Sequence, residues 1–218
     1  YFLGKGKPAR RCEIENLEDI ILYYVVKENT LYAKATNPIV VNNNYLGYKV
    51  KFDLKAFEVN YRRKSLEDFD LKQTYYAGFS FFEDVNPKKE RKRIKIYKGS
   101  QQHFFKSLVN EILDETKFQI FYKRFERTPE QVFDIEKLND KIFKISLIPN
   151  VRTIENLKYI PTEIILKYKN ETSALKFKKP EVRVDRYGNT IDIQNIFLIG
   201  HMASFKVAKL LPLNFSLK

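Results

Sequence analysis

Few side chains in this sequence are of the types that do acid–base, nucleophilic or metal chemistry. The 218 residues include two histidines, His103 and His201, and one cysteine, Cys12. A catalytic or metal site built on imidazole or thiolate therefore has few members to draw on. HExxH and GxSxG motifs are absent, and no carboxylate pair stands at a spacing typical of glycosidases. The sequence predicts no catalytic residue, no metal ligand and no cofactor.

His103 is the more informative histidine. Ser100 is a typical N-cap, and the apolar residues that follow lie on one stripe of the predicted helix. At 100° per residue, His103 lies on the opposite, polar face within the first helical turn. A neutral imidazole at a helix N-terminus is a candidate general base, whereas a plain surface role is the alternative. His201 lies between Gly200 and Met202 at a predicted strand end, where packing is favoured.

Cys12 follows Arg10 and Arg11, two cations of the kind that lower the pKa of a thiol. No histidine is near in sequence to serve as its base, so a small buried side chain is the favoured interpretation. Close by, Gly4-Lys5-Gly6-Lys7 lacks the GxxxxGK[ST] spacing of a phosphate-binding loop. We therefore expect neither a reactive thiol nor a nucleotide site in this segment.

Positive charge is the second source of chemistry. The chain holds 40 Lys and Arg against 27 Asp and Glu, a net charge of +13. Seven bases and one acid fall between residues 88 and 98, which gives this segment 7 − 1 = +6. Clustered cations attract polyanions. Lys outnumbers Arg by 29 to 11, which does not favour the bidentate recognition typical of nucleic-acid binders.

The elements that must position these residues read as an α+β fold, with mainly antiparallel sheets. Short runs of β-branched and aromatic residues predict strands, including a hairpin from Ile20–Val26 and Thr30–Thr36. The first 85 residues predict a meander of five or six strands. Two central helices are expected, over about 87–97 and 100–115.

The second half is predicted to return to strands. They cover Lys117–Phe125, Ile142–Ile148, Thr162–Tyr168, Ser173–Phe177, Glu181–Val184 and Ile191–Ile199. Asp185–Asn189 predicts a tight turn, and Ala203–Leu211 a short C-terminal helix. Without a Gly/Ser-rich or Pro-rich linker, residues 1–218 read as a single domain with a polar insertion over 126–141. The longest apolar run, Ile20–Val26, is too short for a transmembrane segment.

Several short stretches occur together in one order along nearly the whole chain. They are Phe2-Leu-Gly4 with Ala9 and Cys12; Thr36–Ile39 with Asn42–Asn44 and Leu46–Val50; Tyr97–Ser100 with His103-Phe104; Val182–Asp185 with Gly188-Asn189; and Leu210–Phe215. In these stretches the chain resembles the region after the carboxypeptidase-like regulatory domain of uncharacterised Gram-negative cell-envelope proteins. Residues 123–160 match least.

The resemblance implies an exported protein of the periplasm or outer membrane. It implies a leader and a preceding regulatory-like β-sandwich domain, both outside a chain that begins at Tyr1. It carries over no enzymatic activity. Its basic segment falls here on Arg91, Arg93, Tyr97, Gly99, Ser100 and His103, with additional lysines in this sequence.

Three hypotheses follow. The leading one is a non-enzymatic binding or structural module of the envelope, which offers a basic helix to an anionic glycan, a lipid headgroup or an acidic protein surface. Its predicted binding residues are Arg91, Arg93, Lys95, Tyr97, Ser100 and His103. The alternative is a hydrolase of cell-wall or peptide material with His103 as general base, which requires a carboxylate within reach. A cytoplasmic nucleic-acid binder is the third.

Overall fold

Antiparallel strands are the main regular structure of the described residues, at 45%, as the runs of β-branched and aromatic residues predict. The computed structural model describes residues 1–151, 158–159 and 163–217. The α+β class with short helices is confirmed. Within these ranges, no helix is long and apolar enough to cross a membrane.

The helices and strands have the following bounds. They are α1 (Gly6–Ala9), β1 (Cys12–Ile14), β2 (Ile20–Val25), β3 (Thr30–Ala35), β4 (Ile39–Asn43), β5 (Tyr48–Tyr61), β6 (Leu71–Asp84), α2 (Glu90–Tyr97), α3 (Gln101–Val109), β7 (Phe118–Tyr122), β8 (Phe125–Arg127), β9 (Phe133–Lys137), β10 (Ile142–Leu147), β11 (Asn150–Val151), β12 (Lys158–Tyr159), β13 (Glu163–Tyr168), β14 (Glu171–Phe177), β15 (Glu181–Asp185) and β16 (Ile196–Gly200). Single 3₁₀ turns connect many of them, among them Pro87–Lys89, Leu113–Glu115, Met202–Ser204 and Val207–Lys209.

The chain groups into two compact units. Unit 1 comprises residues 1–93 and 206–212, and unit 2 comprises residues 94–205 and 213–218. The prediction of one continuous domain stays a prediction.

Unit 1 is built around the long strand β5. One edge of β5 pairs with β6 along almost its whole length. The other edge is shared, since β4 pairs with its first part and β3 with its last. β1 extends the sheet beyond β4, and β2 extends it beyond β3 in the predicted hairpin. The predicted six antiparallel strands are present, but the predicted meander is wrong, because β1 pairs with β4 and β3 with β5 instead of each strand pairing with the next.

Alternation along β5 fixes which face is buried. Tyr48, Val50 and Phe52 are buried, whereas Lys51 between them is exposed. The ring of Phe2 packs edge-on against Phe52, with 5.4 Å between the ring centroids. The segment before α1 thus covers part of the apolar face of the sheet.

Unit 2 has α3 as its central helix. Phe104, Phe105, Leu108 and Val109 of α3 form one core with buried strand residues, as the apolar stripe predicts. The strands form a five-stranded sheet in the order β16-β14-β13-β7-β8, a three-stranded sheet β15-β10-β9 and a pair β11-β12.

Some predicted boundaries are wrong for identifiable reasons. The second central helix ends at Val109 instead of residue 115, because Glu111 adopts a left-handed backbone (φ 56°). The polar segment 126–141 contains β9, whose buried Phe133 and half-buried Ile135 alternate with acids. Of Ile191–Ile199 only β16 is a strand, and it pairs with β14 instead of β15. Thr162 lies outside the described residues.

The predicted C-terminal helix is also wrong. Within Ala203–Leu211 the backbone is extended at Lys206 (φ −107°, ψ −173°), and a single 3₁₀ turn follows. The N–H groups of Val207 and Ala208 donate to the carbonyl oxygens of Phe2 and Leu3, at 3.2 and 3.3 Å. Because these donors are taken by a distant segment, they do not enter a helical ladder.

The turn after β15 confirms the prediction for 185–189. The carboxylate of Asp185 accepts the N–H groups of Tyr187 and Asn189, at 2.8 and 2.9 Å. Gly188 has a φ of +88°, and a Cβ there would lie 2.1 Å from the carbonyl oxygen of Gln102. Both the conformation and the close approach of two backbones require glycine.

Gly188→Ala is therefore expected to destabilise unit 2 by more than about 2 kcal/mol, since strain and a backbone clash add. Urea unfolding followed by circular dichroism measures the loss. Gly6→Ala is the matched control: it has a φ of +84° but only Pro8 Cδ within reach, at 3.9 Å. It should cost about 1 kcal/mol. Equal losses for the two variants would contradict the clash.

Candidate functional site

The basic segment 88–98 forms a 3₁₀ turn that leads into α2, as predicted. Asn86 and Pro87 begin it, and Pro87 stands where a missing N–H costs no hydrogen bond. Arg91 and Lys95 are exposed, whereas Arg93 is only 5% exposed. The boundary between the units falls inside α2, after Arg93. The predicted binding residues are therefore divided between the two units.

Arg93 is a buried anchor of unit 1. Its guanidinium donates to both carboxylate oxygens of Asp84 at 2.7 Å. Nε donates to the carbonyl oxygen of Leu46 at 2.8 Å, and Nη2 donates to those of Gly47 and Asn86 at 3.1 and 3.0 Å. Hydrogen bonds from Arg93 hold the pKa of Asp84 below its usual range, so the carboxylate stays charged.

The packing around Arg93 is equally specific. Its guanidinium lies 3.8 Å from the ring centroid of Tyr48, a cation–π contact. A Cβ at Gly47 would lie 2.7 Å from the carbonyl oxygen of Asn86, so the turn before β5 touches the start of the basic segment directly. Arg93 fastens these two segments together, and its planar guanidinium donates to five oxygens of four residues at once.

Four cations gather around the turn that Arg93 holds. Lys89 and Lys92 belong to the basic segment, whereas Lys7 and Arg11 come from the first turn of the chain. The Arg11 carbonyl oxygen accepts the N–H of Asn44 at 3.0 Å, which fixes Arg11 beside the turn. We call Lys7, Arg11, Lys89 and Lys92 the basic cluster.

The cations of the basic cluster repel one another. Partial burial and the positive charges of Lys89, Lys7 and Arg11 lower the pKa of Lys92. The ammonium of Lys92 lies 4.9 Å from the ring centroid of Tyr45. In the described part of the chain, no carboxylate forms an ion pair with any of the four. An anion placed there would relieve their mutual repulsion.

Sequence patterns alone missed Lys7 and Arg11. They stand about 80 residues from α2, and the pairing of β1 with β4, extended by the hydrogen bond from Asn44 to Arg11, brings them to the turn. The available signal was the density of bases in residues 5–11, which we discounted for lack of a phosphate-loop motif. Electrostatic attraction needs no such motif.

In unit 2, His103 is buried instead of lying on a polar face. The prediction was wrong because aromatic side chains from distant elements cover the imidazole. Its ring centroid lies 5.0, 5.1 and 5.6 Å from those of Tyr97, Phe118 and Tyr168. Only 7% of the residue is exposed.

The hydrogen bonds of His103 are local. Its backbone N–H donates to Ser100 Oγ at 3.1 Å, which confirms Ser100 as the N-cap. Its Nδ1 accepts the N–H of Gly99 at 3.1 Å. Burial, then the charges of Lys98 and Lys106, lowers the His103 pKa to about 4. The imidazole is therefore neutral at pH 7.

This setting lacks the partner that the hydrolase hypothesis requires. Among the residues that the structure describes, no carboxylate lies within hydrogen-bond reach of His103. Tyr97 is buried beside it, and burial raises its pKa to about 12. Tyr97, Ser100 and His103 share one packed cluster that ties the start of α3 to its surroundings.

The thiol of Cys12 is not activated, although two arginines precede it in sequence. Its Sγ donates to the carbonyl oxygen of Pro8 at 3.4 Å, and burial raises its pKa to about 11. Burial outweighs the flanking arginines, so the thiol stays protonated and unreactive.

Comparison of the chain with known protein families, curated proteins and solved structures finds no match.

Replacing Arg93 is expected to destabilise unit 1 strongly. Arg93→Lys should lower the free energy of unfolding by about 2 to 4 kcal/mol, because an ammonium cannot serve the three carbonyl oxygens and Asp84 together. Urea unfolding measures the change. Arg91→Lys, at an exposed position of the same helix, should stay within about 0.5 kcal/mol of the parent. A mild Arg93→Lys would contradict the anchoring role.

His103 is expected not to titrate between pH 5 and 8. Its folded pKa of about 4 lies below the unfolded value of about 6.5, so the unfolded state takes up the proton first. Its contribution to stability is complete above pH 6.5 and falls by up to about 3 kcal/mol as pH drops towards 4. NMR of the imidazole signals, assigned with His201→Gln, reads the pKa directly. A midpoint near 6.5 would contradict the burial.

Proposed function

We propose that the chain is a non-enzymatic module that binds an anionic glycan of the bacterial cell envelope through unit 1. The observation that carries this proposal is the basic cluster. Two segments about 80 residues apart contribute Lys7, Arg11, Lys89 and Lys92 to one turn, without an ion-paired carboxylate among the described residues.

The chemistry of the cluster favours a flexible polyanion. Three of its four members are lysines, which act as point charges and do not need a planar ligand. Lys92 lies over the ring of Tyr45, so the floor of the site is partly apolar. Phosphate or carboxylate groups carried on sugars, as in lipopolysaccharide, offer several charges that can settle over four cations.

The role of Arg93 in this proposal is positioning. Its hydrogen bonds to Leu46, Gly47 and Asn86 keep the turn and the basic segment together. Arg91, exposed on α2, extends the positive surface within unit 1. Lys95, likewise exposed, stays a predicted contact on the same helix.

Export to the periplasm or outer membrane is part of the proposal. Its support is the resemblance to the region after the regulatory domain of envelope proteins. The lack of a hydrogen-bonded carboxylate at His103 in the described residues favours binding over hydrolysis.

The test removes the four charges of the cluster together. In the variant Lys7→Gln/Arg11→Gln/Lys89→Gln/Lys92→Gln, affinity for purified lipopolysaccharide should fall at least about tenfold, since each cation near an anionic surface contributes about 1 kcal/mol. Isothermal titration calorimetry at low and moderate NaCl measures the affinity. Binding of the parent should weaken as salt rises.

A control with the same change in net charge separates the cluster from total charge. Lys27, Lys34, Arg62 and Lys64 are exposed cations of unit 1 outside the cluster. Changing these four to Gln should leave the affinity unchanged. Equal losses in both variants, or no loss in either, would overturn the proposal. Equally tight binding to oligonucleotides would reassign the partner to nucleic acid.

A further inference from the structure

The outer strand of unit 1, β6, has an unusual edge. It spans 14 residues and pairs with β5. In the part of the chain that the structure describes, no strand pairs with its second edge. Natural proteins protect such edges with lysine, proline or bulges, because unpaired N–H and C=O groups recruit another strand.

A lysine, Lys72, and a register shift stand near the beginning of β6, and the bulge opposite Gly78 belongs to β5, so the centre of β6 itself carries neither lysine nor proline. Residues 74–82 have the sequence Thr-Tyr-Tyr-Ala-Gly-Phe-Ser-Phe-Phe, without charge or proline. Phe79 and Phe81 are 72% and 66% exposed, and they point to one face because they stand two residues apart. Two neighbouring, largely exposed phenylalanines leave much apolar surface in water.

The charges of β6 stand at its ends and have opposite signs. Lys72 lies near the beginning, and the exposed Glu83 lies at the end, next to Asp84, whose carboxylate is already paired with Arg93. Two antiparallel copies of this strand place the positive end of one beside the negative end of the other. The strand is therefore complementary to itself in that orientation.

We propose that two copies of the chain associate through antiparallel pairing of their β6 strands, with Gly78 opposite Gly78 of the second copy. In this register the end of β6 that carries Lys72 lies beside the end that carries Glu83 of the second copy. On the outer face, Phe81 lies opposite Tyr75 and Phe79 opposite Ala77. Both copies contribute to a single aromatic cluster about the two-fold axis.

This register is consistent with the alternation of side chains between the two faces of a sheet. Residues opposite each other in an antiparallel pair point to the same face of the sheet. When β6 pairs with its own copy, opposite residues must therefore both have odd numbers or both have even numbers. The even-numbered Tyr76 and Phe82 face inward, where their rings contact those of Phe52 and Tyr48 respectively. The association therefore joins the outer aromatic residues without removing any from the core.

The first experiment measures oligomeric state with the full chain. Sedimentation velocity from 1 to 500 μM, on the order of the range that resolves ordinary dimers, should show a concentration-dependent dimer. Phe79→Lys/Phe81→Lys should remain a monomer throughout, because four ammonium groups would meet at the axis. Leu66→Lys/Phe69→Lys, at equally exposed apolar positions outside β6, should dimerise like the parent. Thermal midpoints confirm that both variants are folded.

The second experiment tests register. With a spin label at Gln73→Cys in a Cys12→Ser background, the two labelled backbones lie ten residues apart along the paired strands, about 34 Å. Electron double resonance should give a distance near this value. A monomeric parent, a dimer that survives Phe79→Lys/Phe81→Lys, or a clearly different distance would each overturn the proposal.

Discussion

The guanidinium of Arg93 is the interaction on which the arrangement of unit 1 depends. It joins the carboxylate of Asp84, at the end of β6, to three backbone carbonyl oxygens in two different segments. Buried carbonyl oxygens at a turn need donors, and a planar group with five N–H bonds supplies several from one side chain. The positive charge of the segment is thus used first to build the fold, and only the remaining cations are free to act outward.

A structural arginine inside a basic segment also explains the crowding of the basic cluster. The turn held by Arg93 carries Tyr45, over which Lys92 lies, and is joined through Asn44 to Arg11. The four cations are consequently placed by hydrogen bonds of the backbone and by ring packing, at the expense of their mutual repulsion. Groups held against repulsion attract counter-charges more strongly than the same groups scattered over a surface.

The sequence predicted much of the fold and little of the candidate site. Strand and helix patterns are local, so the hairpin of β2 and β3, the alternation of β5 and the cap at Ser100 were all readable. The burial of His103 was not, because Phe118 and Tyr168 reach it from two strands far away in sequence and Tyr97 from the preceding helix. Lys7 and Arg11 escaped for the same reason, since their approach to Lys92 depends on strand pairing. Arg93 gave no signal that set it apart from Arg91, two residues earlier.

The composition of unit 1 has a consequence for biosynthesis. Residues 206–212 supply the buried Val207 and Ala208, and Ala208 accepts a hydrogen bond from the buried amide of Asn43. These residues leave the ribosome more than 110 positions after Arg93, so all six strands of the sheet are synthesised well before its last packing segment. During that interval residues 94–205 of unit 2 are made, and the place of the buried Val207 stays empty. Closing unit 1 then joins chain segments about 200 residues apart, a contact whose entropic cost grows only slowly with the intervening length. The nascent chain is therefore most exposed to misassociation before residues 206–212 emerge, when all six strands of the unit 1 sheet have already been made.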